Sequence, residues 1–369
     1  MKYYSNEIVF RGHPDKVADQ ISDALLTEYL RRDPNSRCGI EVAGGKGIIF
    51  ITGEVTSTAC VNVEKVVKSI LFNIGYDPSK YTIINNIGKQ SQDIALGTND
   101  DVGGAGDQGM MFGYACNDTE FYVPVAMHIL QELSIWYNDI VHKDEDFLPD
   151  GKAQITGVYD DDFKLVKIKD FTISYQNREI NRKRTDKIVR DKILELCDGY
   201  EIENFHINPT GKFLVGGFDG DAGLTGRKIV VDSYQSFSNV GGGAYSGKDC
   251  TKVDRSGAYK ARQLAIRMLK EYNLKWCEVQ VSYAIGIANP LAIYVDSNIG
   301  NIIVDDKVYD EFKPANIIKE FGLKYFDFTK TSMYGHFGTK VFHGREYKCN
   351  IWVESLKFLK KSQPLLTTF

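Results

Sequence analysis

Long apolar runs are missing from this 369-residue chain: stretches such as Ile48–Ile51 fall far short of the roughly 20 residues that a membrane-spanning helix needs. The N-terminus does not read as a secretion signal either. Residues 1–10 alternate polar and apolar types instead of placing a basic region before an apolar one, so a cytoplasmic location is the expectation. Seven cysteines (Cys38, Cys60, Cys116, Cys197, Cys250, Cys277 and Cys349) form an odd set without close pairs, which suits neither a disulfide framework nor a zinc site. They read as reduced packing residues. A strong charge of one sign is also absent: the net charge is -4, against the basic face expected of a general nucleic-acid binder. No GxxxxGK[ST] occurs, which excludes a P-loop. Residues 104–109 match GxGxxG but follow the polar stretch 97–101 rather than an apolar strand, which removes the context of a dinucleotide fold.

What is present is an ordinary globular composition, 43% hydrophobic and 25% charged, in a chain long enough for two or three folding units. The average charge conceals a reversal. Residues 227–262 carry seven bases against three acids, a local +4, while the rest of the chain stands at -8. A basic, glycine-dense segment inside an acidic protein suits a pocket for one small polyanion; for Arg255 onward, a solvated helix face is the competing reading.

Periodicity and capping residues predict helices from Pro14 to about Asp33, over Val63–Ile74 before Gly75, and over 125–141, 186–196 and 254–272. Strands are predicted at 46–55, 154–159, 165–175, 228–232 and 278–287. This is an α+β pattern rather than regular βαβ alternation. Gly- and Asp-rich joins divide it into three similar subdomains, 1–102, 103–221 and 222–369, each a sheet packed with helices.

Three motifs could carry chemistry. Gly12–Lys16 (GHPDK) sets His13 and Asp15 at a helix N-terminus, where anions are favoured; His13 would face a phosphate or leaving oxygen and Asp15 a metal, although a simple cap and a surface histidine read equally well. Residues 241–249 (GGGAYSGKD) place three glycines, costly in any regular element, before Lys248, Lys252 and Asp254, a pattern that suits polyphosphate and a divalent ion better than a linker does. Residues 220–228 add Arg227 and Lys228 after another glycine turn, entering an apolar strand at 229–231. Asp107, inside its glycine turn, suits a cationic amine.

Taken in order, GHPDK (12–16), GKQSQDI (88–94), GAGDQG (104–109), INPTG (207–211), GLTGRK (223–228), GGGAYSGKD (241–249) and KVDRS (252–256) resemble the signature set of the S-adenosylmethionine synthetases, with YGHFG (334–338) also fitting. The resemblance implies three subdomains in a pseudo-threefold arrangement and a two-step reaction. Methionine sulfur displaces the triphosphate of ATP, and the tripolyphosphate is then hydrolysed. It implies catalytic roles for His13, Lys152, Arg227 and Lys248. ATP would be held by Glu7, His13, Asp150, Lys152, Lys212, Phe213, Asp221, Arg227, Lys228, Ala244 and Lys248. Methionine would be held by Glu54, Gln90, Asp107, Asp221 and Lys252, magnesium by Asp15 and Asp254, and potassium by Glu41. The segment 90–103 would be a loop closing the site, and a homodimer with shared sites the smallest active unit, with a homotetramer as the larger assembly.

Three positions depart from the family pattern: Arg11 stands where an acid usually precedes GHPDK, Tyr245 replaces Phe, and Lys212 replaces Arg. Two other functional classes compete. A phosphotransferase would need a base for a hydroxyl acceptor, and His13 is the one candidate. A non-catalytic regulatory homologue would be expected to lack one of the charged positions, and all of them are present.

Overall fold

The computed structural model describes residues 1–89 and 103–338. Its strands form three sheets, ordered β1-β6-β7-β8, β4-β3-β2-β9 and β11-β10-β5. The first combines β1 (Lys2–Val9), β6 (Phe147–Tyr159), β7 (Leu165–Asn177) and β8 (Ile202–Ile207), antiparallel except for the β7/β8 pair. The second combines β2 (Arg37–Gly45), β3 (Ile48–Thr56), β4 (Thr82–Gly88) and the two-residue β9 (Gly223–Leu224), with β3/β4 parallel. In the third, β5 (Gly109–Cys116), β10 (Trp276–Tyr283) and β11 (Ala292–Ser297) are antiparallel. Each sheet therefore takes a strand from a distant part of the chain: β1 joins the middle segment, β5 the last and β9 the first.

Helices cover one side of each sheet. α1 (Pro14–Arg32) lies on the second sheet with α2 (Val63–Ile74) packed against it, α3 (Val125–Val141) lies on the first with α4 (Arg182–Leu196) packed against it, and α5 (Val253–Glu271) lies on the third, followed by α6 (Asp306–Glu311) and by α7 (Pro314–Phe321), which packs against α5. The boundaries follow local chemistry. α1 starts at a histidine cap followed by proline; the Asn62 side chain caps α2 by accepting from the Lys65 amide, and α2 ends at Gly75 in the left-handed conformation. Strands β2 and β3 bury Cys38, Ile40, Val42, Ile49 and Ile51 on one face, the period of two that a one-sided sheet requires.

Two expectations fail here. Residues 229–232 are a single helical turn rather than a strand, because three apolar residues are too few to distinguish the two periods and Ser233 and Asp232 bond back to Ile229 and Lys228. The strand expected at 278–287 ends at Tyr283, with one isolated bridge from Ala105 to Ile285 beyond it. Of the cysteines, Cys38, Cys116, Cys197, Cys250 and Cys277 are buried free thiols and Cys60 is exposed; Cys349 lies outside the described residues.

The bases from Arg255 onward face the interior rather than water. Arg255 forks onto Asp23, Lys260 bonds Glu311 and Glu320, and Arg262 donates to the carbonyl oxygens of Tyr114, Phe121 and Tyr122. Arg262 thus satisfies three main-chain acceptors at the join of β5 and α5. The Tyr122 oxygen also accepts the Cys116 amide at 3.1 Å, so Arg262→Met would deprive the Tyr114 and Phe121 oxygens in a dry site, at about 3 kcal/mol. We expect the urea midpoint to fall accordingly; an unchanged midpoint would show that the side chain is solvated.

Candidate active site

His13 occupies the N-cap of α1. Its Nδ1 accepts the Asp15 amide at 3.2 Å, so the neutral imidazole carries its proton on Nε2. Burial, then the positive fields of Lys228, Lys152 and Lys16, push the imidazole down to about 4 despite the opposing Asp15. His13 is therefore a neutral hydrogen-bond donor at physiological pH. Beside it, Lys228 Nζ meets Asp15 Oδ2 at 2.5 Å and Arg227 Nε lies 3.6 Å from Oδ1, while Oδ1 also accepts the Leu224 amide at 2.9 Å. Burial works to raise the Asp15 carboxyl, but these hydrogen bonds and charges outweigh it and hold it below the ordinary range.

Further expected residues stand on other elements. Lys152 on β6 reaches across to Glu7 on β1 at 2.7 Å. Asp150, two residues earlier, is buried and accepts the Gly217 amide at 2.8 Å; desolvation pushes it up to about 7. Lys212 pairs with Glu179 at 2.9 Å beside the half-buried Phe213, and Asp221 is exposed on its turn. Arg11 is met by neutral oxygens, those of Gln20 (2.7 Å), Asn138 (3.1 Å) and Asn73 (3.3 Å), so it braces the GHPDK turn through amides and a carbonyl.

A second group lines a cleft of about 460 Å³: Glu41 and Glu54 from the outer face of the second sheet, Asp107 from its glycine turn, and Ala244, Lys248 and Lys252 from the glycine-rich loop. Lys248 Nζ meets Asp254 Oδ2 at 2.5 Å, and Lys252 meets Asp249 at 2.7 Å. The Ser246 hydroxyl also lines the cleft and has no hydrogen-bond partner among the described residues. None of the first group lines this cleft. Gln90, and with it the loop expected over 90–103 apart from Gly103, lies outside the described residues.

The two basic turns dock side by side on one edge of β2. Thr225 donates its amide to Val42 O at 3.0 Å, and further along Ile40 donates to Gly247 O at 3.0 Å and Asp249 to Cys38 O at 3.1 Å. They abut closely enough that a Cβ on Gly226 would stand 2.5 Å from that of Ala244. Two acids that motif reading does not single out, Asp19 and Asp23, lie beneath them, fully buried on α1. The signal that could have found them is their spacing: with Asp15 they recur every four residues, on one face of the helix.

As for metals, magnesium takes one or two carboxylates and completes its shell with water and phosphate oxygens. Asp15 and Asp254, hard oxygen donors beside Lys228 and Lys248, fit that demand. Glu41 and the Ser246 hydroxyl, which has no hydrogen-bond partner among the described residues, stand as oxygen donors along one cleft, which fits a monovalent cation.

Comparison with known proteins accounts for most of the chain. Models of the S-adenosylmethionine synthetase N-terminal, central and C-terminal domains match residues 1–93, 102–213 and 215–347. An S-adenosylmethionine synthase of Clostridium tetani is 42% identical over 91% of this chain and 94% of its own length. One from Staphylococcus epidermidis is 39% identical over 91% and 93%.

The His13 environment makes a direct prediction for nitrogen NMR. The imidazole should stay neutral, protonated on Nε2, down to about pH 5, because its folded pKa is held near 4. The unfolded chain takes up this proton near 6.5 and the folded chain does not until about 4, so acidification across that window should cost stability. Titration near 6.5 in the folded protein would contradict the geometry.

Proposed function

The chain belongs to the S-adenosylmethionine synthetase family, and from that membership we infer that it makes S-adenosylmethionine from ATP and L-methionine, hydrolysing the accompanying tripolyphosphate to pyrophosphate and phosphate. The observation that carries the residue assignment is the histidine-capped end of α1 with Arg227 and Lys228 gathered on Asp15.

The chemistry asks for this arrangement. A thioether sulfur is a competent nucleophile without a base; it attacks C5′ of ATP, the C5′–O5′ bond breaks, and its electron pair leaves with the triphosphate. The enzyme's task is to stabilise that leaving group with donors already in place. His13 donates Nε2–H to the departing oxygen. Lys152, Arg227, Lys228 and Lys248 face the phosphates. Lys228 and Lys248 each pair with an acid assigned to metal, so a polyphosphate that draws the ammonium groups frees oxygens of Asp15 and Asp254 for magnesium. Bound there, magnesium would neutralise charge on the leaving phosphates. Glu41 would hold potassium.

Adenosine would lie against Phe213, bounded by Glu7, Asp150, Lys212, Asp221 and Ala244. Methionine would lie in the cleft, its amine toward Glu54 and Asp107 and its carboxylate toward Lys252, with Asp221 approaching from the His13 group that a second copy would bring and Gln90 contributing from outside the described residues.

We further propose that two copies complete the site, with a homotetramer as the larger assembly. The motif residues of one chain fall into two groups, and the cleft group stands on a sheet face where Ala43, Phe50 and Ile84 align in register and Ile48 and Ile84 are exposed. ATP and free methionine as substrates favour the cytoplasm.

Phosphate release from ATP with methionine, and not with other amino acids, separates this reading from a phosphotransferase and from a non-catalytic homologue. A folded preparation that forms no sulfonium product would refute it. Removal of one preorganised donor costs about 3 kcal/mol, so His13→Ala should lower kcat about 100-fold or more. A kcat within about threefold of the parent would remove His13 from its role.

A further inference from the structure

The two basic turns are built to one plan. In each, a glycine at φ +79° immediately precedes the cation: Gly226 before Arg227, Gly247 before Lys248. In each, the amide of that glycine donates at 2.9 Å to an aspartate of α1, Gly226 to Asp19 Oδ1 and Gly247 to Asp23 Oδ1. The second oxygen of each acid is tied to a buried cation, Asp19 Oδ2 to Lys16 at 2.9 Å and Asp23 Oδ2 to Arg255 at 2.9 Å. Neither conformation has room to drift: a Cβ on Gly247 would lie 1.9 Å from Ile40 O.

Resting on the functional reading above, we propose that Asp19 and Asp23 are positioning residues, each fixing through one glycine amide the turn that aims one cation, Arg227 or Lys248, at the phosphate chain of the site which that cation's group helps to form. Neither acid touches substrate. Four residues apart on a rigid helix, they set the separation of the two turns, as a ruler would. Full burial makes the arrangement stiff. A carboxylate without water keeps its few hydrogen bonds in one geometry: Asp19 gives Oδ1 to the Gly226 amide and Oδ2 to Lys16, while the Arg255 fork holds both oxygens of Asp23 and the Gly247 amide shares its Oδ1.

Double-substitution cycles on the full-length enzyme test this, read as kcat for sulfonium formation at a temperature where every variant is folded. Asp19→Ala should lower kcat at least about tenfold in the parent and less than about twofold in an Arg227→Gln background. Asp23→Ala should behave likewise toward Lys248→Gln. The crossed cycles, Asp19→Ala with Lys248→Gln and Asp23→Ala with Arg227→Gln, should be close to multiplicative. A general structural role would give matched and crossed cycles alike, so matched cycles multiplicative within about twofold would overturn the proposal. If Asp23→Ala does not fold, the Asp19 cycles decide, since Lys16 retains Asp232 there. Absence of product from the unsubstituted enzyme would overturn the functional reading together with this one; product with multiplicative matched cycles overturns this one alone.

Discussion

Carboxylates without water, spaced every four residues along α1, are the constraint on which the rest of this structure depends. Asp15, Asp19 and Asp23 each accept a main-chain amide, from Leu224, Gly226 and Gly247, and each pairs with a cation, Lys228, Lys16 or Arg255. Burying a charge costs several kcal/mol, which a partner and satisfied hydrogen bonds only offset. A helix chosen for stability alone would carry leucine at these positions. What the acids supply is direction: they fasten two glycine turns, which have little preference of their own, onto the edge of β2.

That fixed frame suits the reaction. Displacing a triphosphate requires no base, and hence no group titrating near neutrality at the reacting carbon. It requires positive charge and hydrogen-bond donors that need not reorganise as the bond breaks. The neutral His13 belongs to this logic. Burial, and after it the lysines that crowd it, keep it unprotonated, and the Asp15 amide on Nδ1 leaves Nε2–H as its donor. Under the proposed assignment, the same carboxylates that hold Lys228 and Lys248 would stand beside the phosphate path as oxygen donors for a divalent cation.

Much of this was legible in the residues, and the remainder was hidden for physical reasons. The helix at 14–32 announced itself by apolar period and a proline start, and the one at 63–74 by apolar period and by Gly75 at its end. Strands β2, β4, β8 and β11 did not: they are short, glycine-bearing or exposed on one side, and their identity rests on pairing partners far away in sequence. The stretch Ile229–Val231 reads equally well as strand or helix until the bonds from Asp232 and Ser233 are seen. The charges of α5 were misleading in the opposite way. Composition cannot distinguish an arginine in water from Arg262 on three buried carbonyls, because the distinction lies in what packs against it. The motif residues fell where their glycines suggested, at turns; that they form two groups in one chain was not written in any one motif.

The most direct measurement is a crystal structure of the enzyme with a non-hydrolysable ATP analogue, methionine and magnesium. The account places the triphosphate against Arg227, Lys228 and Lys248, with His13 Nε2 within hydrogen-bonding distance of the oxygen on C5′. Phosphates lying away from both glycine turns, with those cations still paired only to Asp15 and Asp254, would contradict it.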